Sequence, residues 1–175
     1  IQTFELSVFP ELQDRAAIYI NMDEVFAQPK VIRAGKSLLL DAEVTQRHLQ
    51  AEHRKASADY SFGGYLEDRR NLWAGSYLEP DKAVHLGIDI NAPAGTAVAP
   101  EHAVSVAKII HDPDNDGGWG SVIIFKLDAP MGEISHFIYA HLGKDSVTVR
   151  EGDKIAPGTA VARLGQPHEN GGWYE

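Results

Sequence analysis

Between Val84 and Leu164 the chain alternates short apolar runs with turn residues so regularly that strands are the only regular structure it suits. The runs are Val84 to Ile90, Thr96 to Ala99, Val104 to Ile110, Val122 to Leu127, Ile134 to Leu142, Val147 to Val149 and Thr159 to Leu164. Each is too short for a helix of ordinary length, and together they predict a mainly β fold. The same region contains an internal repeat. Gly95-Thr96-Ala97-Val98-Ala99 recurs unchanged as Gly158-Thr159-Ala160-Val161-Ala162, each copy with a proline within the two preceding residues. A turn that feeds a strand has this chemistry, and its reuse predicts a barrel or sandwich built from two similar halves.

Composition removes several function classes. Sixteen Lys and Arg against 25 Asp and Glu leave a net charge of -9. No basic run exceeds Arg69-Arg70, so nucleic acid, which rewards clustered positive charge, is a poor partner. The absence of cysteine excludes disulfides, thiolate zinc sites and a cysteine nucleophile. No apolar run approaches the roughly 20 residues of a membrane span. The sequence begins at Ile1 without a charged-then-apolar leader, so any targeting segment is expected to have been removed or left out.

The first 80 residues read differently from the rest and are expected to form a mixed N-terminal segment, with the β domain over 81–175. Phe4, Leu6, Val8 and Ala17 to Ile20 suggest short strand pieces broken by Pro10 and Pro29. From about Ser37 to Ala58, apolar Leu38, Leu39, Ala42, Leu49 and Ala56 alternate with Glu43, Gln46, Glu52 and Arg54, which predicts one helix. His48 and His53 on it are expected to face solvent. Gly35-Lys36-Ser37 is not a phosphate loop, because the glycine required five residues earlier is Lys30. Tyr60 to Pro80 is aromatic and glycine-rich. Such a stretch lines a groove for an extended polymer or packs its rings onto the neighbouring domain, and the residues alone leave both readings open.

Two features of the β region carry chemistry. His85-Leu86-Gly87-Ile88-Asp89 holds two metal-donor side chains four residues apart. In a straight strand they would lie about 13 Å apart, too far to share an ion with bonds of about 2 Å. The chain must therefore bend between them, and Gly87 permits it. In Ser135-His136-Phe137-Ile138-Tyr139-Ala140-His141-Leu142, strand alternation puts Phe137, Tyr139 and His141 on one face. His141 closes the strand, where a side chain can hold an attacking water or stabilise an oxyanion. Asp112-Pro113-Asp114-Asn115-Asp116-Gly117 begins like a calcium loop, but its twelfth position is Ile123 where a glutamate is needed, which predicts a polar hairpin turn.

The order His-Leu-Gly-Ile-Asp (residues 85–89), Ala-Pro-Ala-Gly-Thr (92–96), Tyr-Ala-His-Leu (139–142) and Val-Arg-Glu-Gly-Asp-Lys-Ile-Ala-Pro-Gly (149–158) closely resembles the lysostaphin-like zinc metalloendopeptidases that cleave peptidoglycan. The likeness covers about residues 83 to 166. It implies a β-sandwich of duplicated hybrid motifs, zinc as cofactor with His85 and Asp89 as ligands, and His141 as the catalytic histidine. It also implies a peptidoglycan peptide as substrate and a place in the cell envelope or periplasm.

The sequence departs from that pattern at its end. The family's His-x-His element, which supplies a second catalytic histidine and the third zinc ligand, should follow Gly165, but Gln166-Pro167-His168-Glu169-Asn170-Gly171-Gly172-Trp173-Tyr174-Glu175 contains one histidine without a partner two residues on. The element is expected to lie past Glu175, with His168, His102, His111 and His136 as weaker stand-ins, and this chain is expected to be an incomplete, weakly active form. Two functions follow: a zinc-dependent endopeptidase, or a non-catalytic relative that binds peptidoglycan or a partner protein. A biotinyl or lipoyl carrier is disfavoured, because no lysine sits at a hairpin tip between hydrophobic neighbours.

Overall fold

A computed structural model describes residues 8–28, 32–33, 36–73 and 83–173. The strand pieces expected at Phe4 and Leu6, and Gly35, Gly75 and Tyr77, lie outside the described residues. The chain divides into two compact units, one of residues 15–92 and another in which residues 8–14 join residues 93–173. Strands dominate, so the fold is mainly β.

In the unit of residues 15–92, strand β1 (Ala17–Tyr19) is followed by a short helix α1 (Met22–Phe26) and a small hairpin, β2 (Ile32–Arg33) with β3 (Lys36–Ser37). Helix α2 (Ala42–Ala56) and strands β4 (Tyr60–Gly63) and β5 (Asp89–Asn91) complete the unit. The sheet order is β1-β4-β5, with β1 parallel and β5 antiparallel to β4.

Helix α2 is shorter than its periodicity predicts. Leu38–Leu40 form a turn of 3-10 helix, and the α-helix begins after Asp41, whose carboxylate accepts the Val44 N–H at 3.1 Å. Basic Arg54 and Lys55 occupy the last turn, where the helix dipole favours positive charge. Its buried face, Thr45 and Leu49, packs toward a core of Ile20, Met22, Leu49 and Leu72, against which Val44 and Trp73 are partly buried. Tyr60 is buried too, so these rings of the aromatic stretch serve packing, whereas Tyr65 is exposed. His48 and His53 do not face solvent as expected: the Nε2 of each is buried, and burial lowers the pKa of His53.

The other unit is built on the antiparallel sheet β10-β7-β8-β9, comprising β7 (Val104–His111), β8 (Ser121–Met131), β9 (Ile134–Leu142) and β10 (Lys154–Ile155). Val104, Val106, Ile123, Phe125, Leu127 and Leu142 fill its core, and Phe125 packs against Phe137 at 5.1 Å and Tyr139 at 5.3 Å between ring centroids. These long strands fall where the apolar runs place them. Three other runs do not. Val84 to Ile90 is strand only from Asp89, because Leu86 and Ile88 point into solvent; Val147 to Val149 is not a strand; and Thr159 to Leu164 contributes only β11 (Ala162–Arg163).

The repeat pairs with itself. Strand β6 (Ala97–Val98) runs antiparallel to β11, with Ala162 opposite Val98. Each copy opens with the same turn: Thr96 N–H donates to Pro93 C=O at 3.1 Å, and Thr159 N–H to Ala156 C=O at 3.2 Å. The third turn residue is glycine at positive φ, +85° at Gly95 and +75° at Gly158, as a type II turn requires. Nothing lies within 4 Å of where a Cβ would be at either glycine, so the conformation alone demands glycine. Gly95→Ala and Gly158→Ala are therefore expected to destabilise the protein equally, by about 1 kcal/mol each, as measured by urea unfolding.

Candidate metal-ligand pair and catalytic histidine

His85 is held by a short antiparallel ladder. The Leu66 N–H donates to His85 C=O at 2.8 Å, the His85 N–H to Glu67 C=O at 2.9 Å, and the Arg69 N–H to Ala83 C=O at 2.8 Å. Asp89 opens β5 opposite Gly63. Between them the chain turns outward through Leu86 and Ile88, which are 74% and 65% exposed. That excursion supplies the bend the spacing demands: His85 Nε2 lies 3.6 Å from Asp89 Oδ1. Gly87 lies close to the ring: a Cβ there would sit 3.2 Å from both Cε1 and Nε2 of His85, so any side chain would oblige the imidazole to give way slightly.

The other ring nitrogen fixes the tautomer. His85 Nδ1 lies 3.0 Å from the Gly64 carbonyl oxygen. A carbonyl only accepts, so Nδ1 carries the proton and the lone pair is on Nε2, facing Asp89. Two donors bound at about 2.0–2.1 Å to a tetrahedral zinc lie about 3.4 Å from one another. The 3.6 Å pair therefore fits two positions of such an ion, and the backbone acceptor on Nδ1 is the support a ligating histidine needs.

Three residues that the sequence reading passed over surround the pair. Asp89 Oδ2 is hydrogen-bonded to Arg69 Nη2, and the same Nη2 lies 3.2 Å from Glu67 Oε2. Glu67 is buried, and its Oε1 accepts the N–H groups of Met22 at 2.9 Å and Gly64 at 3.2 Å. Gly64 closes the cluster from the backbone side: a Cβ there would come within 2.9 Å of His85 Nδ1 and 3.0 Å of both Arg69 Nη2 and Asp89 Oδ2.

His141 lies in the other unit. The expected face shared by Phe137, Tyr139 and His141 holds only through Tyr139. Ile123 pairs with Tyr139 and Ser121 with Leu142, so Ala140 and His141 together oppose Val122 in a β-bulge. The bulge re-aims His141, whose φ is +61°. This left-handed conformation costs a non-glycine residue about 1–2 kcal/mol, and several contacts enforce it. The backbone N–H donates to Trp119 C=O and the carbonyl accepts the Gly165 N–H, each at 2.9 Å. The ring stacks on Trp119 at 6.4 Å and 11°, and meets Trp173 edge-on at 6.1 Å. His141 Nδ1 is 2.6 Å from the Asn170 carbonyl oxygen, which again makes Nδ1 the protonated nitrogen.

The residues that position those contacts carry little sequence signal. Buried Asn170 donates through Nδ2 to Gly165 C=O at 3.3 Å and accepts the Trp173 N–H at 2.9 Å, while Trp173 Nε1 donates to Gly118 C=O at 2.8 Å. Asp112 accepts the N–H groups of Asp114 at 3.0 Å and Trp119 at 2.9 Å, which hold its carboxyl below the usual range, and Asp114 accepts that of Asp116 at 2.8 Å. These carboxylates shape the turn that carries Trp119, in agreement with the polar hairpin expected there.

Tyr139, in the Tyr-Ala-His-Leu motif, is structural. Its hydroxyl donates to Ala99 C=O at 3.1 Å, and burial, with a smaller contribution from Glu101, raises its pKa. His102, His111, His136 and His168 are exposed; His111 pairs with Ser121 Oγ and His136 with Ser135 Oγ, each at 2.9 Å. Among the described residues, no three of His, Cys, Asp and Glu assemble as a metal-binding group.

Gly64→Ala is expected to destabilise the protein by about 2–3 kcal/mol, more than either turn glycine, because φ at Gly64 is +94° and the added methyl would crowd three polar side-chain atoms. Urea unfolding of the three alanine variants side by side measures the difference.

Comparison with known proteins gives a family. A solved structure titled "Identification and structural characterization of LytU" aligns with 28% identity and a TM-score of 0.42, over 54% of this chain and 57% of that one. This chain thus spans little more than half the length of that relative. No curated protein matches. The model of Peptidase family M23 matches residues 83–173, just over half of the chain and the region that includes His85, Asp89 and His141. This chain belongs to peptidase family M23.

Proposed function

We propose that this chain acts as a zinc-dependent endopeptidase on the peptide cross-links or stems of peptidoglycan, in the cell envelope or periplasm. The observation that carries the reading is the His85–Asp89 pair: a histidine with Nδ1 committed to a backbone carbonyl and Nε2 set 3.6 Å from a carboxylate oxygen. Such a pair, in a family of peptidases, suits a metal-assisted hydrolase. No described helix is long and apolar enough to cross a membrane.

When bound, zinc polarises a carbonyl and lowers the pKa of a bound water to about 7, which makes hydroxide available as nucleophile. His85 Nε2 and Asp89 Oδ1 would hold the ion. His141 would take part in the proton and charge movements of the reaction. Its Nδ1–H is engaged by Asn170, so Nε2 is the nitrogen that accepts a proton as base or, as imidazolium, donates a hydrogen bond to the oxyanion. Trp119 and Trp173 hold the ring plane in place. The peptidoglycan substrate rests on the family resemblance.

Two protein donors grip an ion loosely, and no third joins them among the described residues. The 175-residue chain is therefore expected to bind zinc weakly and turn over slowly. Equilibrium dialysis should find up to one zinc per chain, His85→Ala should abolish binding and hydrolysis together, and His141→Ala should leave binding unchanged while slowing cleavage of cross-linked peptide about 100-fold or more. Cleavage that persists in His85→Ala would defeat the proposal.

A further inference from the structure

We propose that Glu67 and Arg69 act as a charge-neutral buttress that positions Asp89, turning its Oδ1 toward His85 Nε2. The inference rests on the metal-ligand reading of His85 and Asp89. A carboxylate can rotate and present either oxygen, so a short donor pair requires something that occupies the other oxygen. Arg69 does so: its Nη2 is bonded to Asp89 Oδ2 while Asp89 Oδ1 lies 3.6 Å from His85 Nε2.

A guanidinium beside a cation site opposes metal binding unless its charge is offset. Glu67 supplies the offset, with Oε2 3.2 Å from the same Nη2. The side chains of Arg69 and Glu67 are 12% and 3% exposed, so solvent screens the pair weakly. Glu67 is itself fixed through Oε1 by the N–H groups of Met22 and Gly64. Gly64 thereby links the two supports, since its N–H orients Glu67 and its carbonyl orients His85. The backbone ladder spaces these residues: Glu67 C=O accepts the His85 N–H, and the Arg69 N–H donates to Ala83 C=O.

A charge-neutral buttress has a signature that a purely structural pair lacks. Removing either partner should weaken metal binding, by misorienting Asp89 or by leaving one charge uncompensated beside the ion, and removing both should be less harmful than the two single losses combined. The test is titration of the metal-free chain and its variants with cobalt(II), read from the visible absorption band, together with thermal melting of each metal-free variant. Arg69→Gln and Glu67→Gln are each expected to weaken cobalt binding about 10- to 100-fold and to alter the band; Arg69→Lys should lose less than Arg69→Gln. The double variant should bind more tightly than the product of the single losses predicts. Should Arg69→Gln fail to fold, Glu67→Gln carries the test, because its amide oxygen still accepts from Met22 and Gly64. Folded variants with wild-type affinity and spectrum, or strictly additive losses, would overturn the buttress. A wild-type chain that binds no cobalt would overturn the ligand pair and the buttress with it.

Discussion

A hydrogen bond from a histidine ring to a backbone carbonyl governs the chemistry available to this chain, and it is made twice. Neutral imidazole presents one basic nitrogen, and which one is settled by what the other touches. At His85 the Gly64 carbonyl takes Nδ1–H, and at His141 the Asn170 carbonyl does so. Both rings therefore carry their lone pair on Nε2. A side-chain acceptor could rotate away. A carbonyl fixed within the fold cannot, which makes the tautomer a property of the backbone path.

Those paths are purchased with unusual backbone. Gly64 has φ +94° and admits no Cβ without contact to His85, Arg69 and Asp89, while His141 itself takes φ +61° in a bulge. The residues that bring Asn170 to His141 approach others closely as well: a Cβ at Gly171 would lie 2.0 Å from the Gly118 carbonyl oxygen, and one at Gly120 would lie 2.7 Å from Asn170 Cα. Strain of this kind persists only where neighbours over-determine it. Around His141 they do, through Trp119 C=O, the Gly165 N–H, Asn170 C=O and two indole rings.

The legible parts of the sequence are those governed by periodicity. Strands β7, β8 and β9 follow from apolar runs with strand alternation, and the repeated Gly-Thr-Ala-Val-Ala predicts a repeated turn that the structure contains twice. The bend between His85 and Asp89 agrees with the expectation drawn from treating the two as candidate ligands, which a straight strand would hold about 13 Å apart. Periodicity fails where side-chain hydrogen bonds or non-local contacts decide. The cap at Asp41 shortens the helix expected from Ser37. The bulge opposite Val122 takes His141 off the face of Tyr139, and no residue type at Ala140 announces it. Leu86 and Ile88 extend an apolar run without being buried. Glu67 and Arg69, 22 and 20 residues before Asp89, form an ordinary surface motif in sequence and become a pair largely shielded from solvent only when the ladder with residues 83–85 assembles.

Acidic residues illustrate why composition is a poor guide to a cation site. The chain carries 25 of them, and the densest cluster, Asp112 to Asp116, looks the most suited to a cation. Yet the oxygens of Asp112 and Oδ1 of Asp114 accept backbone N–H groups, so their negative charge serves the turn beneath Trp119. Asp89, with a single carboxylate in its stretch, has one oxygen held by Arg69 and the other turned toward a histidine nitrogen whose lone pair faces it. A divalent ion requires directed lone pairs more than nearby negative charge. A carboxylate that terminates backbone donors has already assigned its lone pairs, whereas one anchored through a single oxygen has been aimed. On this criterion the sparse pair suits a metal ion better than the dense cluster does.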